Sequence, residues 1–313
     1  MLGNSLEYVA LVVTDVEATA TVFAHVFGLQ RTDCLAGTTD RSVPVFSVGK
    51  SALALFAPDD PFVGGAAKPG VHHIALGVEN LSTAAGLVTS QSLSFSDREP
   101  VLGLGGTKRL GLAPESTAGV RTYLTEPLAL PPSADSWVER IDHIGIASAD
   151  NNAAIDVFTK RLGCSLESMQ TDMEVQIPVE SFTSDKYGVT YHTRVPEPVG
   201  GLRVAFITTG DCELEFLQDL SPQFSANITH HQPGTTKQDR GAIARYVATR
   251  GPGLHHLALK VTDINQALSE LARAGLSLID TVGRPGSRRA QIGFIHPKSL
   301  NGVLLHLVER QPL

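Results

Sequence analysis

The chain has 313 residues, 42% of them hydrophobic and 18% charged, with a formal net charge of −7. That length makes about two domains of ordinary size, and the acidic balance excludes nucleic acid or an anionic membrane as the main partner. No apolar run approaches the roughly 18 residues that span a bilayer, the first residues carry no secretory signal, and three scattered cysteines (Cys34, Cys164, Cys212) exclude a disulfide framework or a thiolate zinc site.

Reduced, buried thiols and a cytoplasmic location are therefore expected. Any transition-metal chemistry must rest on carboxylates and on the 11 histidines.

In chain order, one unit recurs four times. The first copy opens on a strand at 6–11, turns at Thr14-Asp15, runs a helix to Gly28 and closes on a strand at 51–56. The second opens at 71–76, turns at Glu79-Asn80 and closes at 119–124. The third opens at 141–146, turns at Ala149-Asp150, runs its helix to Gly163 and closes at 212–217. The fourth opens at 254–259, turns at Thr262-Asp263, runs its helix to Gly275 and closes at 302–307. Asp or Asn just before an apolar-periodic run reads as a helix N-cap, and Gly just after one as a left-handed C-cap.

Further β-rich runs, such as 204–207 and 291–295, complete a β-α-β-β-β pattern. The third copy is longer, with extra residues at 171–200 and 221–253, the latter containing a helix over 238–250 that ends at Gly251-Pro252-Gly253. A Pro-rich stretch at 127–136 marks the boundary. The expected architecture is α+β: four βαβββ modules paired into two domains, 1–126 and 140–313, joined by a linker at 127–139.

Aligning the copies sorts the polar residues. The first strands place Tyr8, His73, His143 and His256 at one equivalent position, and the last strands place Ala54, Tyr123, Glu215 and His306 at another. The N-terminal half thus holds one good ligand, whereas the C-terminal half holds four: His143, Glu215, His256 and His306. Glu213 shares the strand parity of Glu215, and only the alignment singles out the latter. Three imidazoles and a carboxylate suit Fe, Ni, Co, Zn or Mn rather than Ca or Mg. Four ligands on rigid strands, with positions left open, describe a catalytic rather than a structural site.

Gly253-Leu254-His255-His256, Asp263-Ile264, Ala274-Gly275, His296-Pro297-Lys298-Ser299 and Gly302-Val303-Leu304-Leu305 resemble the second module of methylmalonyl-CoA epimerases. Over essentially the whole chain the sequence resembles the glyoxalase, bleomycin-resistance and extradiol-dioxygenase superfamily, which implies glyoxalase-like paired-module domains. The resemblance carries the family's metal ligands onto His143, Glu215 and His256, with the fourth on His306, where the family usually has Glu. That departure bears on the reaction, because the fourth-ligand Glu of glyoxalase I-like members also shuttles a proton, and dioxygenase iron triads need a carboxylate there.

The expected function is a divalent-metal epimerase, isomerase or lyase acting next to a carbonyl through a chelated enolate. The alternatives are a non-haem iron dioxygenase of the extradiol or hydroxyphenylpyruvate type, or a metal-free small-molecule binding protein. Glu174 and His192, in the long insertion, are the candidate acid–base groups. Arg284, Arg288 and Lys298 are the candidate substrate-binding cations. Leu102-Gly103-Leu104-Gly105-Gly106 lacks the context of a dinucleotide site, and His230-His231 reads as linker. The expected partners are a small-molecule substrate with adjacent oxygens and a second copy of the chain.

Overall fold

The four turns into helices share one capping chemistry. Asp15, Asn80, Asp150 and Asp263 each hold extended backbone and accept an N–H from Ala18, Thr83, Asn152 and Gln266. Such a cap contributes about 1 kcal/mol by satisfying an amide that the helix leaves free. In the computed structural model, residues 2–3, 5–133, 136–176, 179–186, 188–193, 197–220 and 237–310 are described. The helices of the first and third copies, Val16–Thr21 and Asn151–Ile155, widen into a π-helical turn over Val22–Val26 and Asp156–Arg161. Phe27 N–H then reaches the carbonyl of Val22, and Leu162 N–H that of Val157. Gly28, Gly163 and Gly275 follow their helices with φ of 70°, 81° and 85°, as the C-cap reading expects.

Two eight-stranded sheets result. The first runs in the order Arg31–Leu35, Ser42–Val48, Ser51–Phe56, Leu6–Val12, Gly70–Gly77, Thr122–Thr125, Lys108–Leu112, Val101–Leu102. The second runs Ser165–Gln176, Glu197–Thr209, Cys212–Asp219, Val138–Ser148, Gly253–Val261, Leu305–Arg310, Ala290–Ile295, Arg284–Pro285. In each sheet the opening strands of two copies pair antiparallel at the centre, and each lies parallel to the closing strand of its own copy. The closing strands of the second and fourth copies start later than the sequence pattern places them, at Thr122 and Leu305. Gly119 and Gly302, at φ of 85° and 109°, hold turns there instead.

The insertion of the third copy forms a separate two-stranded hairpin, Val179–Ser184 with Gly188–Thr193, and the helix Lys237–Arg250. No helix among the described residues is long and apolar enough to cross a membrane.

One apolar core joins the helix-covered faces of both sheets: Val9, Phe23, Phe46 and Ile74 from the first, Ile144, Phe158, Phe216 and Leu257 from the second, all fully buried. Each such side chain contributes roughly 1.5–3 kcal/mol of transfer free energy. The opposite faces differ. That of the first sheet is filled by its own packed cluster, including Tyr8, Ala54, Phe56, Phe62 and Leu104, whereas that of the second surrounds a cavity of about 520 Å³.

Candidate metal centre

The floor of that cavity is made by four adjacent strands of the second sheet. His143 and His256 come from its two central strands, Glu215 and His306 from the strands flanking them. All four side chains are buried. One nitrogen from each of His143, His256 and His306 lies within 4.8 Å of the others. A Glu215 oxygen, Oε2, stands 3.2 Å from His143 Nε2 and 3.5 Å from His256 Nε2. Despite that proximity, His143 Nε2, His256 Nε2 and both nitrogens of His306 have no hydrogen-bond partner.

Buried polar atoms are ordinarily paired, and each orphan costs on the order of 1–3 kcal/mol. Imidazole lone pairs and a carboxylate converging on one point fit a divalent transition metal, which would satisfy all of them at once.

A local backbone device aims these side chains. In each of the four opening strands, the residue before the site position is skipped by the pairing register: Glu7, His72, Asp142 and His255. These are β-bulges, which kink a strand and re-aim its side chains. Two consecutive side chains then lie near each other instead of on opposite faces. Thus Asp142 Oδ1 meets His143 Nδ1 at 2.7 Å, and His255 Nδ1 meets His256 Nδ1 at 3.1 Å. Asp142 is held in turn by Arg310, whose Nε donates at 2.8 Å, and by Arg140 Nη2 at 3.3 Å. A carboxylate on the far nitrogen fixes the tautomer and orientation of a metal-binding imidazole.

Gly145 provides the clearance. It pairs with both Glu215 and His256, and a Cβ there would stand 2.0 Å from His256 Cε1. The equivalent positions in the other copies are Ala10, Ala75 and Ala258. Asp142 and Gly145 escaped the sequence reading, although an acid directly before a candidate ligand histidine, and a Gly where three copies have Ala, were visible signals.

Electrostatics follow from burial against proximity. Burial alone would lower the His143 imidazole, but the Glu215 charge and the Asp142 hydrogen bond outweigh it and push it up to about 9. Burial would raise Glu215, but His143 and His256 hold it well below the usual carboxylate range. His306 is driven well below the ordinary histidine value by burial and by the neighbouring imidazoles His143 and His256.

The remaining candidates are dispersed. Arg284 lines the cavity, with its Nε 3.3 Å from both oxygens of Asp280. Arg288 is absent from the cavity lining; it instead grips Glu213 and Glu167 and lies 3.7 Å above the Phe206 ring. Lys298 is exposed on the turn Pro297–Leu300, away from the cavity lining. Glu174 lies on Ser165–Gln176 and pairs with Gly200, and His192 lies on the hairpin opposite Glu180. The side chains of Glu174 and His192 lie outside the described residues, as do Tyr187, Arg194, His230 and His231.

The N-terminal counterpart has no such convergence. Tyr8, His73 and Tyr123 pack as rings, and the Arg109 guanidinium lies 3.5 Å above Phe62 and 4.3 Å from the Tyr123 ring centre. A cation already occupies the space beside His73, whose imidazole is pushed well below its ordinary range by burial, with His72 and Arg109 adding to the effect.

A family described as the glyoxalase/bleomycin resistance protein/dioxygenase superfamily matches residues 142–294. The mitochondrial methylmalonyl-CoA epimerase of Dictyostelium discoideum is 40% identical over 131 residues, covering 40% of this chain and 69% of the relative. Among solved structures, a mutant of 4-hydroxymandelate synthase from Streptomyces coelicolor superposes with a TM-score of 0.62 over 99% of this chain and 94% of its own, at 14% identity. The Mn(II)-bound glyoxalase of Novosphingobium aromaticivorans gives 0.59 over 98% of this chain and 82% of its own, at 15% identity. These two share the layout of the whole fold.

Proposed function

We propose, for a chain that belongs to the glyoxalase/bleomycin resistance/dioxygenase superfamily, that residues 140–313 form a divalent-metal enzyme moving a proton next to a carbonyl, and residues 1–126 a metal-free scaffold. The observation that carries this reading is the set of orphaned, buried imidazole nitrogens beside Glu215 on the floor of a mostly apolar cavity. A metal held by His143, Glu215, His256 and His306 would supply a Lewis acid that balances the negative charge of an enolate.

The chain's own residues do the rest. Asp142 fixes the His143 ring, Phe206 lines one wall with Arg288 packed on its ring, and the helix Lys237–Arg250 walls another side of the cavity with Ala242 and Ile243. Excluding water strengthens every charge interaction inside. Glu174 and His192 are the proposed acid–base groups; Glu174 stands six residues beyond Ser168 on its strand, so we also propose that the insertion closes over the cleft when substrate binds. Substrates with adjacent oxygens suit the site, 2-carboxyacyl thioesters such as methylmalonyl-CoA among them.

The test is elemental analysis of the purified protein, followed by deuterium exchange into methylmalonyl-CoA and into small 2-hydroxy ketones in heavy water. Near one transition metal per chain, with exchange in at least one compound, supports the reading. Oxygen uptake with Fe(II) and no exchange would replace it with dioxygenase chemistry.

A further inference from the structure

We infer that the cavity takes a small molecule with two adjacent oxygens at one end, an apolar body, and a hydrogen-bond donor at the other end that is received by Asp172. The first feature rests on the metal reading above; the other two are read from the cavity itself. Pairing across the sheet sets the scale. Ser168, Phe206, Glu215, Gly145 and His256 are neighbours in one row. Asp172 stands four residues further along the strand of Ser168, with no register shift between them. At about 3.3 Å per residue, its backbone is roughly 13 Å from that row. Asp172 therefore marks the far end of the cavity and is too distant to act on atoms chelated by the histidines.

Between the two ends the larger part of the lining is apolar, with Val204, Phe206, Leu217 and Ile243, while Gln170, Arg245 and Arg284 add polar groups around it. Ile243 belongs to the helix Lys237–Arg250 and is itself buried. Tyr246 pins that helix: its hydroxyl donates to the Leu254 carbonyl at 2.5 Å, and its ring packs edge-on against His255. The volume, about 520 Å³, is that of a site for a compact small ligand.

Besides Glu215, Asp172 is the only carboxylate lining the cavity among the described residues. Gln170 Nε2 donates to its two oxygens at 2.9 and 3.1 Å, which orients the group. An ionised carboxylate only accepts hydrogen bonds, and one amide leaves it acceptor capacity to spare. A hydroxyl or ammonium on the ligand matches that end; an ether or a bare ring does not. Sites built to bond a polar group discriminate strongly against analogues that lack it.

The probes are phenylacetohydroxamate and its 4-hydroxy and 4-methoxy derivatives, whose hydroxamate supplies the adjacent oxygens. Binding to Co(II)-loaded protein is followed by the visible cobalt spectrum. The 4-hydroxy compound should bind at least about tenfold tighter than the 4-methoxy compound, the worth of one hydrogen bond to a charged group. In Asp172→Ala that preference should shrink to within about twofold, with cobalt content and Tm unchanged. Equal affinities in the wild type, an unchanged preference in Asp172→Ala, or cobalt-loaded protein that binds none of the three overturns the inference and leaves the metal site standing. Failure to take up Co(II) at all overturns the metal reading, and this inference with it.

Discussion

Asp142 and His143, consecutive in the chain, meet through Oδ1 and Nδ1 at 2.7 Å, because Asp142 is the extra residue of a β-bulge. A regular strand would send the two side chains to opposite faces. Asp142→Asn keeps the shape and removes the charge that orients the ring. Metal affinity should fall by about 10–100-fold, as is usual when a ligand's hydrogen-bond partner is lost. Competition with a chelator of known affinity measures it, and an unchanged affinity would mean Asp142 serves only Arg140 and Arg310.

Gly145→Ala tests the clearance under His256. The added Cβ would sit 2.0 Å from Cε1 of that ring, so the imidazole must move. Overpacking of this kind costs about 1–3 kcal/mol, and the displaced ring should leave the metal underfilled. We expect a lower Tm together with less than half the wild-type metal content. Normal metal content in this variant would show that His256 is not a ligand.

The His143 imidazole, pushed up to about 9 from its ordinary value of 6.5, couples the metal-free protein to pH. Its folded-state value is raised, so its stabilisation is fully present below pH 6.5 and is lost as pH rises through about 9. Metal-stripped protein should therefore lose Tm between these limits. Metal binding displaces that proton and should tighten across the same window. Calorimetry in two buffers of different ionisation enthalpy reads the released proton; no release at pH 7.5 would count against His143 as a ligand.

His306 is the departure from the family's usual glutamate. His306→Ala should weaken metal binding by at least about tenfold, on the reasoning that a direct ligand matters no less than its supporting partner. His306→Glu should retain near one metal per chain while activity falls, if the imidazole is tuned to this chemistry. Full metal content and activity in His306→Ala would remove His306 from the set.

The N-terminal half, with Arg109 beside His73 and Ala54 where the other half has Glu215, should bind no metal. Elemental analysis after saturation should give one site per chain, and His73→Gln should not change that number. Two tight sites, one of them lost in His73→Gln, would contradict this.

By itself the sequence determined the repeat, its caps and the four ligand candidates. These depend on local periodicity, on cap residues next to the helices they start, and on residue identity at aligned positions. Hence Asp15, Asn80, Asp150 and Asp263 all cap as their spacing implies, and His143, His256 and His306 converge. Tertiary structure alone decided what depends on register and on contacts between distant segments. The bulge that turns Asp142 beside His143 is a property of pairing with the strand 253–261. Arg288 was indistinguishable from Arg284 as a basic residue in a turn, until the fold brought Glu213 and Glu167 to the first and the cavity to the second. Asp172 gained its place at the far end of the cavity because it stands on the edge strand four residues beyond the row of Glu215 and His256, a placement that no local pattern encodes.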